Sequence, residues 1–175
     1  ELRYTYFNCS ENIISNNNIS TIYYLFSLKE GSKKVVYSNN KIFGHREWPM
    51  ESFLFILEFS YLELYNCSFE GYGIMHRGTA LLSLLSMNGF LNITRSIFSN
   101  LSASLCGALS LKVQSIDFLL IENCIFIGNK GLEFSGDCLI EFLQESIDFI
   151  DKPLTTYNFG FIYNIFYSSK GVKGG

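Results

Sequence analysis

Leu62-Glu63-Leu64-Tyr65-Asn66-Cys67-Ser68-Phe69 decides the reading of this chain, because the segment returns three times with its phenylalanine in step. The returns are Leu91-Asn92-Ile93-Thr94-Arg95-Ser96-Ile97-Phe98, Leu119-Leu120-Ile121-Glu122-Asn123-Cys124-Ile125-Phe126 and Phe159-Gly160-Phe161-Ile162-Tyr163-Asn164-Ile165-Phe166. The phenylalanines are 29, 28 and 40 residues apart, and Gly78, Gly107, Gly136 and Gly175 follow them after nine or ten residues. A second apolar run comes after the first three glycines: Leu81 to Leu84, Ala108 to Leu111 and Leu139 to Phe142. Two weaker copies precede these, Asn40 to Phe43 with Ser52 to Ile56, and Asn8 to Glu11 with Ser20 to Tyr24.

A period near 28 is that of a solenoid, and the residue types choose which kind. A leucine-rich repeat needs a Leu-x-x-Leu-x-Leu frame and a helical repeat needs apolar residues at 3.6 spacing; neither is present. The apolar positions instead alternate in short blocks, Leu62 and Leu64, then Cys67 and Phe69, broken by Asn66. Alternation over about five residues reads as a strand with one buried face. An Asn between blocks fits a one-residue bend, because Asn tolerates the left-handed conformation. Three short strands and three bends per period predict an all-β chain, a single-stranded right-handed parallel β-helix of about five to six coils stacked roughly 4.8 Å apart. Residues 1–59 are expected to form irregular N-terminal coils and 60–175 the regular ones, continuing beyond the chain end. A β-sandwich of short strands is the competing reading.

In that frame Phe69, Phe98 and Phe126 form an internal stack, extended by Phe43 and Phe166. Cys9, Cys67, Ser96 and Cys124 form a neighbouring inward column, and Asn66 and Asn123 stack at the bend. The 40-residue spacing places an inserted loop near 143–158, and insertions of this kind project from one face and often carry binding.

These motifs, Leu-x-Leu-x-Asn-Cys-x-Phe followed by Gly78-Thr79-Ala80-Leu81 or Gly107-Ala108-Leu109-Ser110, resemble the right-handed β-helix repeat of pectin-lyase-like proteins, in particular the polymorphic-membrane-protein type of surface repeat. The resemblance covers residues 60–175. It implies an extracellular adhesin, shell or fibre, and for a minority of such proteins a polysaccharide lyase or hydrolase. Fold likeness does not carry function with it.

Composition agrees with a packed extracellular domain. Of 175 residues 48% are hydrophobic and 17% charged, which excludes a disordered tail. The net charge of −3 is too mild for a nucleic-acid partner. Glu58 interrupts the best apolar run, Phe53 to Tyr61, so no membrane span is expected. The chain starts at Glu1 without Met or a signal segment and is read as a mature or excised piece of something longer. Five sequons, at Asn8, Asn18, Asn66, Asn92 and Asn100, stand against about two expected by chance from 15 Asn and 27 Ser plus Thr. They point to a secreted or cell-surface glycoprotein, with Asn18 and Asn100 the best acceptors and Asn66, turned into a bend, the poorest. Of five cysteines, Cys106 and Cys138 fall near one bend on adjacent coils and are the candidate disulfide.

Residues for chemistry are sparse. His45 and His76 are the only histidines, and neither sits at the spacing of a nucleophile motif. Ser38-Asn39-Asn40-Lys41 matches Ser-x-x-Lys without its companion motifs. A β-helix hydrolase needs clustered carboxylates, yet the chain has four Asp, namely Asp117, Asp137, Asp148 and Asp151, without the paired signature. No catalysis, metal or cofactor is expected. Trp48, Asp148 and Asp151 are the candidate binding residues, for glycans by aromatic stacking or for a surface protein through the inserted loop. The leading expectation is structural: assembly through end-to-end stacking with other copies or further chain, or adhesion, with a carbohydrate-binding or carbohydrate-cleaving module as the alternative.

Overall fold

A left-handed backbone position recurs once per repeat and sets the phase of everything after it. Glu11, Asn39, Asn66, Arg95, Asn123 and Tyr163 have φ between 51° and 60°, and an inward-facing column position lies three residues beyond each. The computed structural model describes residues 6–15, 24–28, 32–43, 52–57, 59–71, 74–75, 81–85, 89–113, 116–142 and 158–172.

Twenty strands and no helix occupy the described residues. The first repeat supplies β1 (Tyr6–Ser10), β2 (Ile13–Ser15) and β3 (Tyr24–Leu28), and the second β4 (Ser32–Ser38), β5 (Lys41–Phe43) and β6 (Ser52–Leu57). The third supplies β7 (Phe59–Tyr65), β8 (Ser68–Glu70), β9 (Ile74–Met75) and β10 (Leu81–Leu85). The fourth has β11 (Gly89–Thr94), β12 (Ile97–Ser99), β13 (Ser102–Ala103) and β14 (Leu109–Val113), and the fifth β15 (Ile116–Glu122), β16 (Ile125–Ile127), β17 (Lys130–Gly131) and β18 (Cys138–Phe142). The sixth adds β19 (Asn158–Ile162) and β20 (Ile165–Tyr167).

Corresponding strands of successive repeats pair into four sheets, ordered β1-β4-β7-β11-β15-β19, β2-β5-β8-β12-β16-β20, β3-β6-β10-β14-β18 and β9-β13-β17. Every pairing among them is parallel. A sandwich of antiparallel hairpins is thereby excluded, and the arrangement is that expected of a β-solenoid. The two-residue strands β9, β13 and β17 form a fourth sheet that the sequence pattern did not reveal, because two residues are too few to show alternation.

The register stacks like on like. Phe69, Phe98, Phe126 and Phe166 are direct partners, and their rings stack with centroids 5.2, 4.9 and 4.9 Å apart. Val35, Leu62, Leu91 and Leu119 form a second buried column, and Tyr37, Leu64, Ile93 and Ile121 a third. Burying these faces against their neighbours is the main stabilising term, since no repeat can cover its own inward face.

Two early positions differ from expectation. Ile42, not Phe43, pairs with Phe69, and Phe43 pairs with Glu70 on the opposite face. Cys9 pairs with Tyr37, and the column place that Cys67 and Cys124 share belongs to Asn12 in the first repeat. The cause is phase: the bends fall at Glu11 and Asn39, and a slip of one residue sends a side chain to the other face. At the bend, the amide contact joins Asn66 to Asn39, with Asn66 Nδ2 donating to Asn39 Oδ1 at 2.8 Å. Arg95 separates Asn66 from Asn123, its guanidinium lying over the Tyr65 ring and donating to Tyr65 OH at 3.1 Å. Stacking imposes the left-handed turn on Arg95 and Tyr163 against a local preference of about 1–2 kcal/mol.

A second aromatic ladder runs along the outer face. Tyr61, Phe90 and Phe118 are half-buried and stack at 4.6 and 4.5 Å, with Lys34 Nζ 4.7 Å from the Tyr61 centroid. Their spacings of 29 and 28 equal those of the inward phenylalanines. That repetition was present in the sequence and went unread because only inward positions were aligned.

Candidate functional site

The residues singled out for sugar or partner binding, Trp48, Asp148 and Asp151, lie outside the described residues, as do Asn18, both histidines and most of the 143–158 insertion. Of the remaining sequon residues, Asn8, Asn66 and Asn100 are exposed. Asn100 occupies a second left-handed bend at φ 54°. Asn92 is half-buried, and its Oδ1 is buried without a hydrogen-bond partner. The five cysteines are free thiols. Cys106 Sγ donates to the Leu109 carbonyl at 3.1 Å, and burial pushes its thiol up to about 12. Burial also raises Cys138, with smaller contributions from the nearby Cys106 and Asp137.

The inward column after each bend carries out a task that residue types alone did not announce. Asn40 Oδ1 accepts from the Asn12 N–H at 3.0 Å while its Nδ2 donates to the Cys9 carbonyl at 2.7 Å, bracketing the bend of the repeat beneath. Asn164 does the same one repeat above Cys124, accepting from Cys124 N–H at 2.9 Å and donating to the Ile121 carbonyl at 2.8 Å. Asn129 repeats the arrangement at the second bend, on Leu101 N–H at 3.0 Å and Phe98 carbonyl at 3.0 Å. Smaller side chains make half of it: Ser96 Oγ accepts from Cys67 N–H at 3.2 Å, while Cys67 and Cys124 point their thiols at the carbonyls of Tyr37 and Ile93. Buried peptide groups at a turn are costly when unsatisfied, and these side chains supply the missing partner from the next repeat up.

Toward the C-terminal end of the stack the interior opens. Asn129 Nδ2 also donates to Asp137 Oδ1 at 2.9 Å, and Ser169 Oγ donates to the same oxygen at 2.6 Å. Asp137 shares with Ser135, Cys138, Ile140, Phe161 and Phe166 the lining of a cavity of about 440 Å³. The wall is mixed: one carboxylate, two small polar groups and aromatic rings. Among the described residues no group of three His, Cys, Asp or Glu side chains is placed to hold a metal ion.

The last repeat is the most exposed apolar part of the described chain. Phe159, Phe161 and Phe166 are 44%, 50% and 52% exposed, although Leu119, Ile121 and Phe126, the same positions one repeat earlier, are fully buried. Tyr163, Ile165 and Tyr167 are exposed beside them. Among the described residues no strand pairs with the outer edges of β19 and β20. The candidate site is therefore this end face, a row of strand edges around an uncovered aromatic interior.

No described helix is long and apolar enough to cross a membrane. No protein-family model, curated protein or solved structure matches the chain.

Proposed function

We propose that the chain is a segment of a single-stranded right-handed parallel β-helix in an extracellular structural glycoprotein, a surface layer, fibre or filament that acts by assembly or adhesion and without catalysis. The observation that carries this reading is the end face. Phe159, Phe161 and Phe166 occupy core positions yet stand 44–52% exposed at a strand edge, a surface whose natural complement is another repeat. Solenoid stability depends on covering terminal repeats, so an open edge favours stacking with more β-helix. The exposed sequons at Asn8, Asn66 and Asn100 support passage through a secretory compartment. Contact of a front edge with a back edge does not close on itself, and it produces linear arrays.

Sedimentation velocity over a concentration series, with negative-stain imaging of the same samples, tests the proposal. Linear oligomers that grow with concentration are expected. A species that stays monomeric at millimolar concentration would refute it. Expression in a eukaryotic secretory host followed by amidase treatment tests the compartment, a mass loss being expected and an unchanged mass counting against it.

A further inference from the structure

We infer that the two ends of the stack are made for one another: a second copy seats its first repeat on the sixth, with its Asn12 bracketing the Asn164 bend. This rests on the assembly reading above and adds to it the partner and the register.

The two ends carry the same frame. β1 has five residues, a two-residue bend follows at Glu11 and Asn12, and β2 has three; β19 has five, the bend is Tyr163 and Asn164, and β20 has three. Both bends turn through a left-handed residue, Glu11 at φ 60° and Tyr163 at φ 52°. Continuing the observed register by one step places Cys9 over Phe161, Ile14 over Phe166 and Asn12 over Asn164, with no like charges opposed at the bend.

The bracket selects this register over others. Within the chain, an Asn after the left-handed residue reaches back to the N–H directly beneath and to the carbonyl three residues before it, as Asn40 and Asn164 do. On the end face the corresponding groups are the Asn164 N–H and the Phe161 carbonyl. Asn12 holds the bracketing position of the first repeat, and it is exposed. Its Nδ2 now turns back on the Ser10 carbonyl of its own bend at 2.8 Å, a contact exchanged on docking for the Phe161 carbonyl of the neighbouring copy. Two sixth repeats meeting face to face would run their strands antiparallel and would offer no residue for the bracket.

The photoreactive p-benzoylphenylalanine in place of Tyr163, whose side chain is 81% exposed, reads the register directly in the 175-residue chain. Cross-links between copies to the peptide around Glu11 and Asn12 are expected, and isotopically mixed samples distinguish them from links within one chain. In parallel, Asn12→Ala weakens self-association about tenfold, the loss of two hydrogen bonds, with an unchanged melting temperature. Cross-links from Tyr163 to residues 158–167 of another copy, or wild-type affinity in Asn12→Ala, would overturn this register while leaving assembly through the end face standing. Absence of any self-association would overturn both.

Discussion

Asn129 and Asp137 share a 2.9 Å hydrogen bond although they lie on opposite sides of a loop, and both side chains are buried. Ser169 of the next repeat donates to the same Asp137 oxygen at 2.6 Å. One carboxylate thus ties two repeats and the bracket of the second bend together.

Asp137→Ala leaves Asn129 Nδ2 and Ser169 Oγ without this acceptor, and a loss of about 1–3 kcal/mol is expected. In a chain of this size that lowers the melting temperature by roughly 2–4 °C per kcal/mol. Thermal unfolding followed by circular dichroism checks it, and a melting temperature equal to wild type would show that the network adds nothing to stability.

Phe98 is stacked on both faces and fully buried, whereas Phe166 is stacked on one and half exposed. Phe98→Ala is expected to cost about 3–5 kcal/mol, the range for a large core side chain. Phe166→Ala is expected to cost well under half of that in the monomer. Urea titration of both variants tests the order, and equal losses would contradict the account of the end face.

The phenylalanine column and its period were legible in the sequence because identical residues returned at fixed spacing. So were the bends at Asn66 and Asn123, whose residue type matches the backbone they adopt. Phe43 and Cys9 were misplaced because the first two repeats carry the bend on Asn39 and Glu11, and Glu11 gives no conformational signal at all. The Asn129 to Asp137 bond was hidden for another reason: the two residues sit between strands, where no periodicity reports on proximity. The end face could be inferred only as an edge, since how far Phe159 and Phe161 stand uncovered depends on three-dimensional packing.

Gly107 is hemmed in by main chain. A Cβ there would lie 2.2 Å from the Gly136 oxygen, 2.8 Å from the Lys130 nitrogen and 3.0 Å from the Leu101 oxygen. Backbone on three sides cannot give way, so Gly107→Ala is expected to abolish folding or to lower the melting temperature severely. At Gly160 the nearest contact is the end of the Leu120 side chain at 2.8 Å, which can move. Gly160→Ala is expected to be far milder, and the reverse order in soluble yield and melting temperature would sink this explanation.

The buried thiols make stability depend on alkaline pH. Burial raises Cys124 to about 11 and Cys106 to about 12, from a usual value near 9. A raised thiol pKa means that the folded state prefers the neutral form, so the contribution is complete below about pH 9 and is lost as pH climbs toward 11 and 12. Urea midpoints measured from pH 7 to 11 should be flat at first and then fall. Cys106→Ala should make the fall shallower, and an identical slope in that variant would remove Cys106 from the account. At neutral pH the same protonation leaves Cys106 and Cys124 slow toward thiol reagents.

The strict order of the sheets also has a mechanical side. Every sheet begins or ends with strands of the first and last described repeats, so the two termini of the described fold lie at opposite ends of the stack. A load applied to them peels one ladder of hydrogen bonds at a time from an end instead of shearing all of them together. Each regular repeat of 28 or 29 residues would release about 90–100 Å of extended chain at 3.3–3.6 Å per residue. A filament built from such units yields gradually, lengthening in steps while the repeats still stacked continue to bear the tension.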